Sequence, residues 1–222
     1  MDQKTPLFGK TLGELLELVA QYGLPKFTAK QIADWLYVKD VSTIDEMTNL
    51  SKKARDLLNA NHTFGIVDPT ETRTSTDGTK KYLFPTEHGK FIETAMIPFK
   101  DRKTVCVSSQ VGCKMGCLFC MTGKQGFQGQ LTAGEIVNQI RNIPERDEVT
   151  NIVYMGMGEP FDNLDEVLKS VEILTAEWGF AMSPRRITVS SIGIVPGVVR
   201  FLNECEAHLA ISLHTPFHEE RQ

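Results

Sequence analysis

The sequence predicts an α/β fold, because the longest part of the chain alternates strand-like and helix-like segments. Between Thr104 and Leu213, short apolar runs typical of strands are separated by segments with the pattern of helices. Such alternation is typical of parallel strands joined by right-handed crossovers. Two other patterns precede this part, and three regions are expected: a helical domain over residues 1–62, an antiparallel meander over 63–100 and an α/β core over 101–222.

The first region has the periodicity of short helices. Its apolar residues recur at helical spacing: Leu12, Leu15, Leu16 and Val19. Further along, Thr28 and Gln31 have the pattern of an N-cap and its reciprocal partner, and Ser51 is expected to open another helix. We therefore predict a small helical appendage.

The second region switches to a two-residue period, which is typical of strands. Asp77-Gly78 and His88-Gly89 are tight-turn signals between its strand-like runs. The last of these runs extends from Phe91 to Ile97. The pattern predicts a three-stranded antiparallel meander.

The third region is predicted to hold four strands and three helices. The strands are expected at residues 104–109, 149–154, 187–190 and 208–213. The first helix is expected to begin at a capping box of Thr132 and Glu135, the second to span about 164–178, and the third to begin near Pro196. In parallel sheets, functional groups gather at the carboxyl ends of the strands. The chain ends at Gln222 without the closing strands of a barrel, so we expect either an open four-stranded half or a fragment.

Three cysteines in this region are spaced C-x3-C-x2-C, at Cys113, Cys117 and Cys120. Three thiolates can hold three irons of a four-iron cluster and leave the fourth iron open. A structural zinc site normally needs a fourth ligand, but the nearest histidines, His88 and His208, are distant in sequence. The spacing therefore favours a cluster over zinc.

Composition and charge restrict the function classes. No run approaches the roughly 18 apolar residues that span a bilayer, the N-terminus lacks a secretion signal, and five cysteines with three clustered do not indicate a disulfide framework. We expect a cytoplasmic protein without membrane contact.

The net charge is −4, yet residues 100–130 hold five basic residues and one acidic residue. This local charge suits an anionic substrate, although a solvated loop with scattered lysines explains it equally well.

A resemblance covers essentially the whole chain. The cysteine motif, the segment Cys106-Val107-Ser108-Ser109-Gln110 before it, Gly126-Phe127, Gly156-Met157-Gly158-Glu159-Pro160 and Ser212-Leu213-His214 together resemble the RlmN/Cfr family of radical S-adenosylmethionine RNA methyltransferases. The cysteine spacing alone indicates only the wider radical-SAM superfamily. The resemblance implies a partial (β/α) barrel, truncated after about four parallel strands.

The resemblance also implies the cofactors and their ligands. Cys113, Cys117 and Cys120 would ligate a [4Fe-4S] cluster, whose open iron binds S-adenosylmethionine and reduces it to a 5′-deoxyadenosyl radical. The positions that match cofactor contacts in the family are Gly158, Glu159, Ser190, Ser212, Leu213 and His214. Taken singly, each of these residues has a plain structural interpretation.

The reaction implied by the resemblance is methylation of adenine in RNA, at C2 or at C8. C2 is favoured because housekeeping members of the family methylate it. One S-adenosylmethionine would methylate a cysteine of the protein, and a second would supply the radical. Glu93 matches the base that removes the ring proton, although without the resemblance it would be interpreted as a solvent-facing strand glutamate. Cys106 matches the thiol that forms a transient disulfide with the methyl-carrying cysteine. The implied partners are 23S rRNA, tRNA and an electron donor such as flavodoxin, and a monomer is expected.

The chain departs from the family pattern at its end. The methyl-carrying cysteine and an asparagine that contacts the cofactor lie beyond Gln222, and Cys205 is predicted to be a core cysteine. The fragment is therefore expected to bind the cluster without completing methylation. A non-catalytic zinc or iron-sulfur RNA-binding module remains the alternative. An RNA methylthiotransferase would show a second cysteine trio, which the sequence lacks.

Overall fold

The N-terminal region is helical, as predicted. The computed structural model describes residues 4–39, 41–87 and 89–221. This region contains β1 (Thr5–Pro6), α1 (Leu12–Gln21), α2 (Phe27–Ala33), a π-helix (Asp34–Val38), a 3-10 turn (Ile44–Glu46), α3 (Lys52–Asn61) and β2 (His62–Thr63). Strand β1 pairs in parallel with β2, which closes the region on itself.

Two helix starts were predicted here from capping patterns, and one of them is wrong. Ser51 opens α3 as expected, and its Oγ accepts a hydrogen bond from the N–H of Ala54 at 3.2 Å. Thr28, in contrast, is buried inside α2 and is not its N-cap. The helix begins at Phe27, two residues before the Ala29 start that a Thr28 N-cap implies, because the chain turns at Pro25, whose carbonyl accepts the N–H of Thr28 at 2.9 Å.

The meander is present, and it belongs to a larger sheet. Its strands β3 (Glu71–Thr74), β4 (Lys80–Pro85) and β5 (Phe91–Phe99) pair antiparallel. The turn at Asp77-Gly78 forms as predicted, with Gly78 at φ +85° and the Asp77 carboxylate accepting the N–H of Thr79. His88, part of the second turn signal, lies outside the described residues.

The core also follows the predicted alternation. Its elements are β6 (Arg102–Cys106), β7 (Gln110–Val111), α4 (Met121–Gln125), β8 (Gly129–Gln130), α5 (Ala133–Arg141), β9 (Asn151–Tyr154), α6 (Leu164–Thr175), β10 (Ile187–Ser191), α7 (Val195–Glu204) and β11 (His208–Ile211), with 3-10 turns at Arg146–Glu148, Pro160–Asp162, Pro184–Arg186 and His218–Arg221. Thr132 and Glu135 form the predicted capping box of α5. The short elements β7, α4 and β8 were not predicted.

One seven-stranded sheet runs through both regions, in the order β11-β10-β9-β6-β5-β4-β3. The four predicted parallel strands β6, β9, β10 and β11 pair side by side, and the antiparallel pair β5 and β6 joins the meander to them. The meander thus extends the core sheet. The division of the chain into three domains stays a prediction.

The two faces of this sheet differ. On β5, Thr94 is buried and its hydroxyl donates to the Gln139 side chain of α5 at 2.7 Å, so helices cover this face. Glu93, next to it in sequence, is exposed on the opposite face. Side chains alternate between the two faces along a strand, and residues paired across neighbouring strands share a face. Cys106 and Ser190 therefore lie on the same open face as Glu93. Among the described residues, no helix has the length and apolar character needed to cross a membrane.

Candidate functional site

A cavity of about 350 Å³ lies at the carboxyl ends of the parallel strands. It brings together most of the residues that the sequence singled out: Cys113, Cys117, Cys120, Gly158, Glu159, Ser190, Ser212 and His214. Leu213 is 52 % exposed and is not one of the lining residues. Parallel pairing places these loops at one sheet edge, which explains why residues as distant in sequence as Cys113 and His214 meet.

The three cysteines lie on a loop, residues 112–128, that we call the cysteine loop. Strands β7 and β8 pair antiparallel and close its neck. Gly112 has φ +71°, and a Cβ there would lie 1.8 Å from the carbonyl oxygen of Gly126, so only glycine fits. Cys113 is buried at the neck, whereas Cys117 and Cys120 are half-buried. The neck therefore fixes the Cys113 thiol, and all three cysteines line the cavity.

The donor set fits a [4Fe-4S] cluster. All five cysteines are free thiols. Among the residues that the structure describes, no three His, Cys, Asp or Glu side chains are grouped so that they could hold a single metal ion. Burial raises the pKa of the Cys113 thiol, and the neighbouring Cys117 raises it further, so a bound cation would favour its deprotonation.

Glu159 in the loop after β9 ties two strand ends together. It is only 4 % exposed, and its carboxylate accepts the N–H of Phe161 and the N–H of Ile192, each at 3.0 Å. The sequence indicated a carboxylate suited to accept hydrogen bonds, and the structure supplies both donors from the backbone. Glu159 therefore shapes the cavity wall, and its backbone lies beside Gly158 at the cavity.

The end of β11 approaches the cysteine loop through two rings. His214 has φ +58°, an uncommon conformation for a residue other than glycine. Its ring centroid lies 4.8 Å from that of Phe119, a residue of the cysteine loop that is 71 % exposed. Phe119 was not singled out from the sequence, although an aromatic residue within a cysteine motif was a usable signal.

Glu93 and Cys106 lie outside the cysteine cavity, on the same open sheet face. Glu93 lines a second cavity of about 600 Å³, and Thr122 contributes to the walls of both cavities. The Glu93 carboxylate pairs with the Lys81 ammonium at 2.8 Å, and its N–H points at the Met157 sulfur at 3.4 Å. Cys106 is half-buried, and burial raises the pKa of its thiol. The two predicted catalytic residues are thus neighbours of the cysteine cavity.

Comparison with protein families gives two matches. Residues 107–222 match the radical SAM superfamily, and residues 5–63 match the N-terminal domain of ribosomal RNA large subunit methyltransferases. The first of these spans the sheet core with the cysteine loop, and the second spans the helical region.

Individual relatives match nearly the whole chain. It is 60 % identical over 219 residues to a probable dual-specificity RNA methyltransferase RlmN of Phocaeicola vulgatus, and 58 % identical over 218 residues to that of Bacteroides fragilis. These alignments cover 99 % and 98 % of this chain but 63 % of each relative, so the chain spans less than two thirds of their length.

A solved structure shares the fold. A radical SAM methyltransferase from Sphaerobacter thermophilus superposes with a TM-score of 0.89 at 42 % identity, over 98 % of this chain and 66 % of that one. The predicted α/β fold of a partial radical-SAM barrel is confirmed.

Proposed function

The chain belongs to the RlmN family of radical SAM RNA methyltransferases, and we propose that the full-length protein methylates C2 of adenine in 23S rRNA and in tRNA. The observation that carries this proposal is the cavity that joins three thiols to the ends of neighbouring parallel strands. The names of the relatives, which describe dual-specificity RNA methyltransferases, support the two RNA substrates.

The thiols of Cys113, Cys117 and Cys120 would bind a [4Fe-4S] cluster. Together with S-adenosylmethionine, this cluster supplies an electron and a carbon-centred radical. Radical chemistry suits C2 of adenine, because this electrophilic carbon is not readily attacked by polar methyl transfer. Two S-adenosylmethionine molecules per turnover follow, one to methylate a cysteine outside this chain and one for the radical.

The chain's own residues would orient the cofactor. Gly158, Ser190, Ser212 and His214 line the cavity together with the three thiols, and Leu213 would contribute only through its position between Ser212 and His214. The backbone of Glu159 is held still by the two hydrogen bonds of its side chain. These groups would present fixed polar atoms to the cofactor.

Two residues on the open sheet face would serve the later steps. Glu93 is proposed to remove the ring proton of adenine, for which its exposed carboxylate is accessible. Cys106 is proposed to attack, as a thiolate, the sulfur of the cysteine that is bonded to the base through the transferred carbon. The S–S bond would form as the C–S bond breaks, the electron pair would leave with the carbon, which takes up a proton, and a thiol reductant would then reduce the disulfide. A reducing partner such as flavodoxin would supply electrons to the cluster, and the protein would act as a monomer.

Mass spectrometry of nucleosides tests this function. The full-length gene product, loaded with iron and sulfide, is incubated with rRNA or tRNA, S-adenosylmethionine and reductant. Formation of 2-methyladenosine supports the proposal, whereas 8-methyladenosine or no methylation contradicts it. Cys113→Ala should abolish the product, and Cys205→Ala, which removes a cysteine packed beside the core, should retain it. The fragment of residues 1–222 alone should yield no methylated adenosine.

A further inference from the structure

Gln110 is a buried side chain whose amide makes three hydrogen bonds beside the cavity. It lies at the neck of the cysteine loop and is 0 % exposed. Its Oε1 accepts the backbone N–H of Glu159 at 2.8 Å. Its Nε2 donates to the Gln130 Oε1 and to the Asp162 Oδ2, each at 2.7 Å. A buried amide with all of these partners satisfied is held in one orientation.

The partners of Gln110 come from both sides of the cavity. Gln130 is on β8, the other strand of the neck, and its amide donates in turn to the Asp162 carbonyl at 2.7 Å. The second carboxylate oxygen of Asp162 pairs with the ammonium of Lys114 at 2.7 Å. Lys114 directly follows Cys113. A continuous polar chain therefore links the first cysteine to the loop after β9.

Gly158 leaves room for this arrangement. It has φ +99°, and a Cβ on it would lie 2.5 Å from the Cβ of Gln110. The backbone of residues 158–159 therefore rests directly on the Gln110 side chain. Any change in the shape of Gln110 must move this backbone relative to the cysteine loop.

We propose that Gln110 is a positioning residue, which fixes the Gly158–Glu159 backbone at a set distance from the three thiols. The inference rests on the proposed function, because it concerns S-adenosylmethionine that is held between this backbone and the open iron. Gln110 is not among the residues that line the cavity. It acts through Glu159 on one side, and through Asp162 and Lys114 on the other.

The first test compares two buried amides. Gln110→Leu keeps the apolar bulk but removes both the donor and the acceptor. Asn138→Leu is the matched control, because Asn138 is 2 % exposed and bonds to the backbone of Val67, remote from the cavity. Iron content, the dissociation constant of S-adenosylmethionine and the change that it causes in the EPR spectrum of the reduced cluster are measured in the full-length protein.

We expect Gln110→Leu to load iron as the wild type does but to bind S-adenosylmethionine on the order of 10-fold more weakly, with a smaller EPR change. Asn138→Leu should match the wild type in both. Unchanged affinity and EPR response in an iron-loaded Gln110→Leu protein would overturn the proposal.

If Gln110→Leu does not load iron, a second pair of variants, which moves the negative charge from Asp162 to Gln110, tests the proposal. Gln110→Glu places a carboxylate oxygen against the Asp162 carboxylate and should weaken the binding of S-adenosylmethionine. In the Gln110→Glu/Asp162→Asn double variant, an amide donor at 162 again faces an acceptor at 110, and the affinity for S-adenosylmethionine should recover. Equal affinity in the single and double variants would overturn the proposal. The proposed function fails separately, if the wild-type protein binds S-adenosylmethionine and yields no 2-methyladenosine.

Discussion

The carboxylate of Glu159 accepts a hydrogen bond from the backbone N–H of Ile192 at 3.0 Å, and this contact joins the loop after β9 to the end of β10. Its other oxygen accepts the N–H of Phe161 at 3.0 Å. One side chain thus serves a buried donor at Phe161 and a part-buried donor at Ile192, from two connections of the sheet. The shape of the cavity wall depends on it.

Replacing this side chain should lower both stability and cofactor affinity. Glu159→Ala leaves the buried N–H of Phe161 without a partner, which costs about 1–3 kcal/mol, whereas water can reach the part-buried N–H of Ile192. We expect the free energy of unfolding in urea to fall by about that amount and the dissociation constant of S-adenosylmethionine to rise. Glu177→Ala, in a segment away from the cavity, is the control. An unchanged affinity in Glu159→Ala would contradict this account.

Removing the carboxylate of Glu93 should stop methylation without stopping cofactor cleavage. Glu93→Gln keeps the shape but cannot accept the ring proton, and loss of a general base typically lowers a rate by about 10²- to 10⁴-fold. RNA methylation and S-adenosylmethionine cleavage are measured in parallel. Glu71→Gln is the matched control, since Glu71 lines the same surface hollow next to Glu93 and pairs with Arg73. Methylation at the wild-type rate in Glu93→Gln would exclude the proposed base.

Alkylation of Cys106 should be slow at neutral pH. Burial raises the pKa of its thiol above the ordinary value of 9.0, so the folded protein holds less thiolate at any pH below that value than the unfolded chain does. We expect iodoacetamide to label Cys106 more slowly in the folded protein than in urea. The folded rate should continue to rise with pH above 9.0, as peptide mass spectrometry can measure. Equal rates in the folded and unfolded states would refute the shift.

The link between the meander and the core should weaken in acid. Burial by itself raises the pKa of Glu145, but hydrogen bonds from Lys80 and Tyr82 on β4 outweigh it, and the net pKa is lowered from 4.5. Because the unfolded chain binds the proton more tightly, this stabilisation is present above pH 4.5 and is lost as the pH falls through the lower, folded pKa.

Urea unfolding across this pH range tests the link. Glu145→Gln should be less stable than the wild type at neutral pH, and the difference should shrink in acid. Glu148→Gln removes an exposed carboxylate that pairs with Lys103, and it should show a much smaller difference. A difference for Glu145→Gln that stays constant with pH would contradict the prediction.

Much of the fold was predictable because its signals are local. The capping box of Thr132 and Glu135 starts α5, and the Asp77-Gly78 turn falls between β3 and β4, each as its own few residues predict. Elements without such signals were missed. Strands β7 and β8 have two residues each and form only by pairing with one another. Thr28 carried a local capping signal, but the turn at Pro25 started the helix earlier.

The candidate site was predictable as a set of residues and not as an arrangement. The order of its motifs gave the family resemblance, and their positions after strands indicated one sheet edge. Nothing local showed that Glu159 would bond to Ile192, or that Lys81 would pair with Glu93. Both contacts depend on the register and order of strands.

The sequence by itself determined the chemistry available to this protein: three thiols spaced for three irons, and polar residues after successive strands. The tertiary structure alone decided that Gln110 supports Gly158, and that Glu93 and Cys106 share the open face of the sheet. The physical reason is that residue type and spacing set local conformation and ligand chemistry. Contacts between distant segments arise only when strand pairing and burial bring those segments together.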